Sequence, residues 1–154
     1  HKLIFASRIA ETAITIDDKG RMSIPTAHRE LIASQCGNRL VFTYNPFEQG
    51  CLWLLPVRDW EKVRDEVNSL SRTVAAHRNL QLKLVGAAMH VDVDANGRVL
   101  VPASQRGATG LGKNAVLLGM GSKFELWAEE AHQRQIAMTI GESAVTPEMS
   151  KLSL

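Results

Sequence analysis

Two five-residue segments hold the residues best suited to chemistry. Asp17-Asp18-Lys19-Gly20-Arg21 returns seventy-seven positions later as Asp94-Ala95-Asn96-Gly97-Arg98. Aspartate, glycine and arginine keep the same spacing in both. Arginine presents a planar fork of N–H donors that matches a phosphate or a guanine edge, and a neighbouring carboxylate can orient that fork. A simpler reading competes with this one. The aspartate could accept backbone N–H groups of its own turn, the glycine could supply a positive φ, and the arginine could pair with the aspartate within or between subunits. That reading accounts well for Gly20 and Gly97, and for much of Asp17 and Asp94. It accounts less well for Arg21 and Arg98, because a hairpin tip would accept lysine or threonine equally. Both arginines are therefore candidate nucleic-acid contacts. Lys19 stands beside Arg21 and could reach a phosphate, although its counterpart is Asn96. Arg29 and its counterpart Arg106 follow a few residues later, with His28 beside the first, and are weaker candidates.

The segments that must position these residues are repeated as well. Residues 13–17 alternate apolar and polar, as a half-buried strand does. The Asp-to-Gly segment is a turn, and Asn96-Gly97 is a hairpin signal. Residues 22–24 and 99–101 read as short strands, closed by Pro25 and Pro102. A helix is expected after Pro25, with Leu31 and Ile32 inward, and a shorter one over 103–107, where glycines lower the propensity. Strand pairs are expected over 39–44 with 51–55, and over 115–119 with 123–127. Val57, Trp60, Val63, Val67 and Leu70 recur at helical spacing, and Trp127, Ala131, Ile136 and Ile140 do so less cleanly. A connecting helix over 74–84, with Leu80 and Leu84 on one face, would join the halves. The sequence thus predicts an α+β, β-rich chain of two tandem half-sized copies. Its plan is an extension or vector-derived stretch over 1–10, a first repeat over 11–75, a connector over 76–87, a second repeat over 88–140 and an irregular tail over 141–154. Neither half is large enough to bury a good core alone, so the two should share one.

Composition narrows the function classes. The chain has 154 residues, 45% of them hydrophobic, and a formal net charge of +2. That charge is too weak to name a partner by itself. No apolar run approaches the length of a membrane span, so no membrane partner is expected. Cys36 and Cys51 stand alone and build neither a disulfide framework nor a zinc site, which fits a cytoplasmic protein with reduced thiols. Gly119-Met120-Gly121-Ser122-Lys123 lacks the spacing of a phosphate loop. His28, His77 and His132 read as surface residues, and Trp53, Trp60 and Trp127 as core or interface. Neither a catalytic constellation, nor a cofactor motif, nor a small-molecule substrate site is indicated. The chain is not expected to be an enzyme.

With these residues in hand, the chain resembles the MraZ family. The resemblance rests on Asp17-x-Lys19-Gly20-Arg21-x-x-Ile24-Pro25 and its copy Asp94-x-x-Gly97-Arg98-x-x-Val101-Pro102. It extends to the blocks Asn38–Val41, Cys51–Leu54, Gln81–Gly86 and Gly121–Trp127, and covers roughly residues 11–140. It implies two AbrB-like, SpoVT-type swapped-hairpin halves in one chain and a ring-shaped homo-oligomer. It also implies a nucleoid-associated transcriptional regulator, usually a repressor. Such a protein binds direct repeats in double-stranded promoter DNA upstream of the division and cell-wall gene cluster. The family's Asp-x-x-x-Arg element falls on Asp17 and Arg21, and on Asp94 and Arg98. The alternatives are a protein-interaction ring whose Asp–Arg pairs are subunit salt bridges, a cousin of the AbrB-like antitoxins, and, last, an enzyme.

Overall fold

The computed structural model describes residues 11–154, so the expected extension over 1–10 lies outside the described residues. The chain is a β-rich α+β protein whose elements appear twice in the same order. The first half holds β1 (Thr12–Thr15), β2 (Arg21–Ser23), α1 (Thr26–Cys36), β3 (Arg39–Tyr44), β4 (Cys51–Pro56) and α2 (Val57–Asn68). The second holds β5 (Met89–Asp92), β6 (Arg98–Leu100), α4 (Ala103–Thr109), β7 (Asn114–Gly119), β8 (Phe124–Ala128) and α5 (Glu129–Ala137). Between them lie α3 (Ala75–Gln81) and a π-helical turn, Leu82–Gly86.

Strand pairing runs across the halves. Six strands form one antiparallel sheet in the order β1-β7-β8-β4-β3-β5. The edge strand β1 pairs with β7 of the second half, and the edge strand β5 pairs with β3 of the first. β2 and β6 pair only with each other, as a separate two-stranded ribbon. Because β1 leads into β2 and β5 into β6, the ribbon ties together the two edges of the sheet. Neither half could form this arrangement without the other, as expected for copies too small to bury a core alone.

The alternation of each strand sets what faces the core. Leu40 and Phe42 of β3, Leu52 and Leu54 of β4, Leu117 of β7, and Phe124 and Leu126 of β8 share one sheet face and are fully buried. They pack with Met22, Ile24, Val99 and Val101 from the ribbon region and Ile32 from α1. Each such side chain contributes about 1.5–3 kcal/mol by leaving water. On the opposite face Val41 and Leu55 pack under Trp60 of α2. The Trp60 indole donates to the Leu84 carbonyl at 2.9 Å and so pins the π-helical turn.

Several expectations are corrected here. Trp127 lies in β8, as the strand expected over 123–127 has it, and not in the following helix, and Ile140 lies beyond α5. The spacing of Trp127, Ala131, Ile136 and Ile140 mixed strand and helix residues, and Ile136 is exposed. In the connector Leu84 is buried as expected, but Leu80 is only half-buried and Gln81 is the second buried residue; its amide donates to the Leu70 carbonyl at 3.0 Å. His28 and His132 are buried, not superficial. The His28 ring lies 5.7 Å from Phe124, and His132 stands edge-on to Trp127 at 6.2 Å. Both histidines occupy the inner face of their helices, which an isolated histidine does not announce. Over 141–154 the chain forms a 3₁₀ turn, Glu142–Ala144, and a short helix, Pro147–Ser150.

Candidate nucleic-acid interface

Each Asp-x-x-Gly-Arg segment folds by local hydrogen bonds. Asp17 Oδ1 accepts the backbone N–H of Lys19 at 3.0 Å and of Arg21 at 2.9 Å. Asp94 Oδ1 accepts those of Asn96 and Arg98, both at 2.9 Å. The Gly20 N–H donates to the Asp17 carbonyl and the Gly97 N–H to the Asp94 carbonyl, both at 2.9 Å. Gly20 and Gly97 have φ of 89° and 75°, where a side chain would be strained. The simpler reading of the aspartates and glycines therefore holds in full: they build the turns. The same bonds hold both carboxyls below the usual carboxylate range. The Arg21 backbone N–H is the chief cause for Asp17 and the Arg98 backbone N–H for Asp94, with the arginine charges adding to the effect. Both aspartates are ionised at neutral pH.

The turns are then locked to one another. Ile24 N–H donates to the Gly97 carbonyl and Val101 N–H to the Gly20 carbonyl, each at 2.8 Å. Between these bonds the ribbon pairs Arg21 with Leu100, Met22 with Val99 and Ser23 with Arg98. Met22 and Val99 face the core and are buried. Alternation puts Arg21, Ser23, Arg98 and Leu100 together on the opposite face, with the two arginines diagonal to each other. Leu100 is 50% exposed, a high value for a leucine in a strand. Sequence reasoning missed Ser23 and Leu100. The alternation in Arg-Met-Ser and Arg-Val-Leu marked them as outward, but only the cross-half pairing brings them beside the arginines.

The arginine side chains differ. Arg21 Nε donates to Asp17 Oδ2 at 3.1 Å. Arg98 Nε lies 3.7 Å from Asp94 Oδ2, and among the described residues it has no hydrogen-bond partner. Lys19 is exposed at the tip of the first turn. Arg29 and Arg106 point elsewhere. Their Nε groups donate to the carbonyls of Ile24 at 2.8 Å and Val101 at 3.0 Å. Thus the structure gathers Asp17, Lys19, Arg21, Asp94 and Arg98 around one ribbon and places Arg29 and Arg106 behind its turns. Among the described residues there is no group of three or more His, Cys, Asp or Glu that could hold a metal ion. Burial pushes the Cys36 thiol up to about 11, and Cys51 is raised further.

Comparison with known proteins fits this duplicated geometry. A family model described as "MraZ protein, putative antitoxin-like" matches twice, over residues 9–83 and 84–152. The chain belongs to the MraZ family. It is 59% identical over 132 residues to the "Transcriptional regulator MraZ" of Stenotrophomonas maltophilia (strain R551-3), covering 86% of this chain and 89% of that one. It is 56% identical over 144 residues to the protein of the same name from Xanthomonas campestris pv. campestris (strain 8004), covering 94% and 97%. A relative so named from Marinobacter nauticus is 40% identical over 142 residues, covering 92% and 95%. The two matches of the family model bear out the internal repeat read from the sequence.

Proposed function

We propose that this protein regulates transcription by binding double-stranded promoter DNA through the β2–β6 ribbon. The observation that carries the reading is the outward face of that ribbon, where two arginines from different halves stand diagonal to each other. A two-stranded ribbon fits the major groove, and an arginine fork reads a guanine edge there. Lys19 and the turn backbones would face the flanking phosphates. Asp17 and Asp94 hold the turns and orient the forks. The relatives' shared name, transcriptional regulator, agrees with this reading.

The finer picture follows from the same surface. The pairing of β1 with β7 and of β5 with β3 supports reading the two halves as a swapped-hairpin arrangement of the AbrB-like kind. One chain of net charge +2 presents few cations, so a single copy would bind weakly. A homo-oligomeric ring would present many copies of the ribbon at regular spacing, and direct repeats in DNA would engage neighbouring copies at high effective concentration. Exposed Ile136, Met138, Ile140 and Leu152 offer apolar surface that such an assembly could cover. Repression of the division and cell-wall gene cluster would follow from exclusion of polymerase at the bound promoter. Such a protein acts in the cytoplasm, at the nucleoid.

The test is a gel shift of the gene's own upstream DNA over a salt series, with wild type and the Arg21→Ala/Arg98→Ala double variant. We expect wild-type affinity to fall with salt at a log–log slope of about −0.9 per phosphate contacted. The double variant should lose specific binding while keeping its assembly size. Wild-type affinity in the double variant would sink the reading. So would equal losses from a scrambled repeat spacing and from a single base change, as far as the avidity is concerned.

A further inference from the structure

Arg29 and Arg106 lie on the first turns of α1 and α4, each just after the proline that ends its ribbon strand. Each Nε is anchored to the last carbonyl before that proline, Ile24 for Arg29 and Val101 for Arg106. The anchored guanidinium then reaches across to the other half. That of Arg106 lies against Gly20, where a β-carbon would come within 2.7 Å of the guanidinium carbon, and that of Arg29 lies in the same way against Gly97. Each glycine is required for its positive φ, and the space that a β-carbon would take there is filled by an arginine from the opposite half. The same glycines give their carbonyls to Ile24 and Val101 across the ribbon. Two arginines, two glycines and the carbonyls of Ile24, Val101, Gly20 and Gly97 therefore form a reciprocal pair of contacts across the ribbon.

We propose that Arg29 and Arg106 are positioning residues that brace the binding turn of the opposite half: Arg29 sets the turn of residues 94–98, and Arg106 sets the turn of residues 17–21. The consequence for DNA rests on the function proposed above; the brace itself does not. Arginine suits the task because its flat, weakly hydrated guanidinium can lie against the glycine while Nε holds a carbonyl. A lysine has one donor centre and cannot do both. The arrangement makes the two turns mutually dependent. The helix of one half fixes the tip that the other half presents, so the two arginines of the ribbon keep their diagonal spacing only while both braces hold. These two cations would then add to binding without touching a phosphate.

The proposal predicts a crossed pattern, which a general loss of stability would not produce. Amide hydrogen exchange of the intact chain, read by mass spectrometry, should speed up by about tenfold or more at residues 94–98 in Arg29→Ala while residues 17–21 stay near wild type. Arg106→Ala should do the reverse. Arg29→Lys, a milder change, should still release 94–98. Faster exchange confined to the variant's own half, equal change in both turns, or wild-type protection in Arg29→Lys would each overturn the brace. These readouts need no DNA, so they stand or fall apart from the proposed function. With promoter DNA, Arg29→Ala should weaken binding about tenfold, within the range of one lost base contact, at an unchanged salt slope. A slope reduced by about 0.9 would make Arg29 a phosphate contact and overturn the positioning role.

Discussion

The two ribbon turns share a backbone and differ in their side chains. In the first, Arg21 Nε is bonded to Asp17 at 3.1 Å, and Lys19 stands at the tip. In the second, the equivalent separation is 3.7 Å, Arg98 Nε lacks a hydrogen-bond partner among the described residues, and Asn96 replaces the lysine. The backbone hydrogen bonds match almost bond for bond. Local chemistry therefore specifies the turn, and what hangs on it is free to diverge. The first turn holds its fork more firmly and carries an extra cation. The second holds its arginine more loosely, at the same exposure. A duplicated motif within one chain can in this way divide base reading and phosphate contact between its copies.

The largest expected effect separates the arginines. Arg98→Ala should cost specific DNA binding about 1–3 kcal/mol, the size of one good bidentate contact, and should cost more than Arg21→Ala. Fluorescence anisotropy on labelled promoter DNA would show it. Equal losses would mean that the tighter Asp17–Arg21 pair makes no difference to recognition. A middle-sized effect separates the turn tips. Lys19→Ala should lower the salt slope by about 0.9 for each phosphate contact it made, whereas Asn96→Ala should leave the slope unchanged. If the two variants titrate alike, the first turn has no special role with phosphate.

The smallest effect lies behind the turns, where His28 in α1 matches Gln105 in α4. Burial holds the His28 pKa below its ordinary 6.5. The unfolded chain then binds a proton more readily than the folded one, so stability falls as pH drops below 6.5. Gln105 has no such dependence, and its amide donates to the Phe42 and Ala87 carbonyls at 3.1 and 3.0 Å. His28→Gln should flatten the decline of melting temperature as pH falls below 6.5. An unaltered pH profile would show that His28 gains its proton equally in both states.

Much of the site was legible before any coordinates. The repeat named Asp17, Arg21, Asp94 and Arg98, and spacing placed Gly20 and Gly97 in turns. The strands over 39–44 and 51–55 were also readable, because alternation and turn residues are properties of neighbours in sequence. The failures share a different origin. His28 and His132 read as surface residues in sequence because nothing near them there reveals the aromatic rings that cover them. Trp127 fits both the strand over 123–127 and the helical spacing that follows, because strand and helix signals overlap in short apolar runs.

The sequence by itself determined the turns. A carboxylate that reaches two N–H groups within four residues, and a glycine that accepts positive φ, need no help from afar. Tertiary structure decided which turn meets which. The pairing of β2 with β6, of β1 with β7 and of β5 with β3 joins residues far apart in the chain. That pairing turned two separate arginines into one diagonal pair on a single face. It also set Arg29 against Gly97 and Arg106 against Gly20. Such contacts depend on how the two halves close on a common core, and no local spacing encodes that.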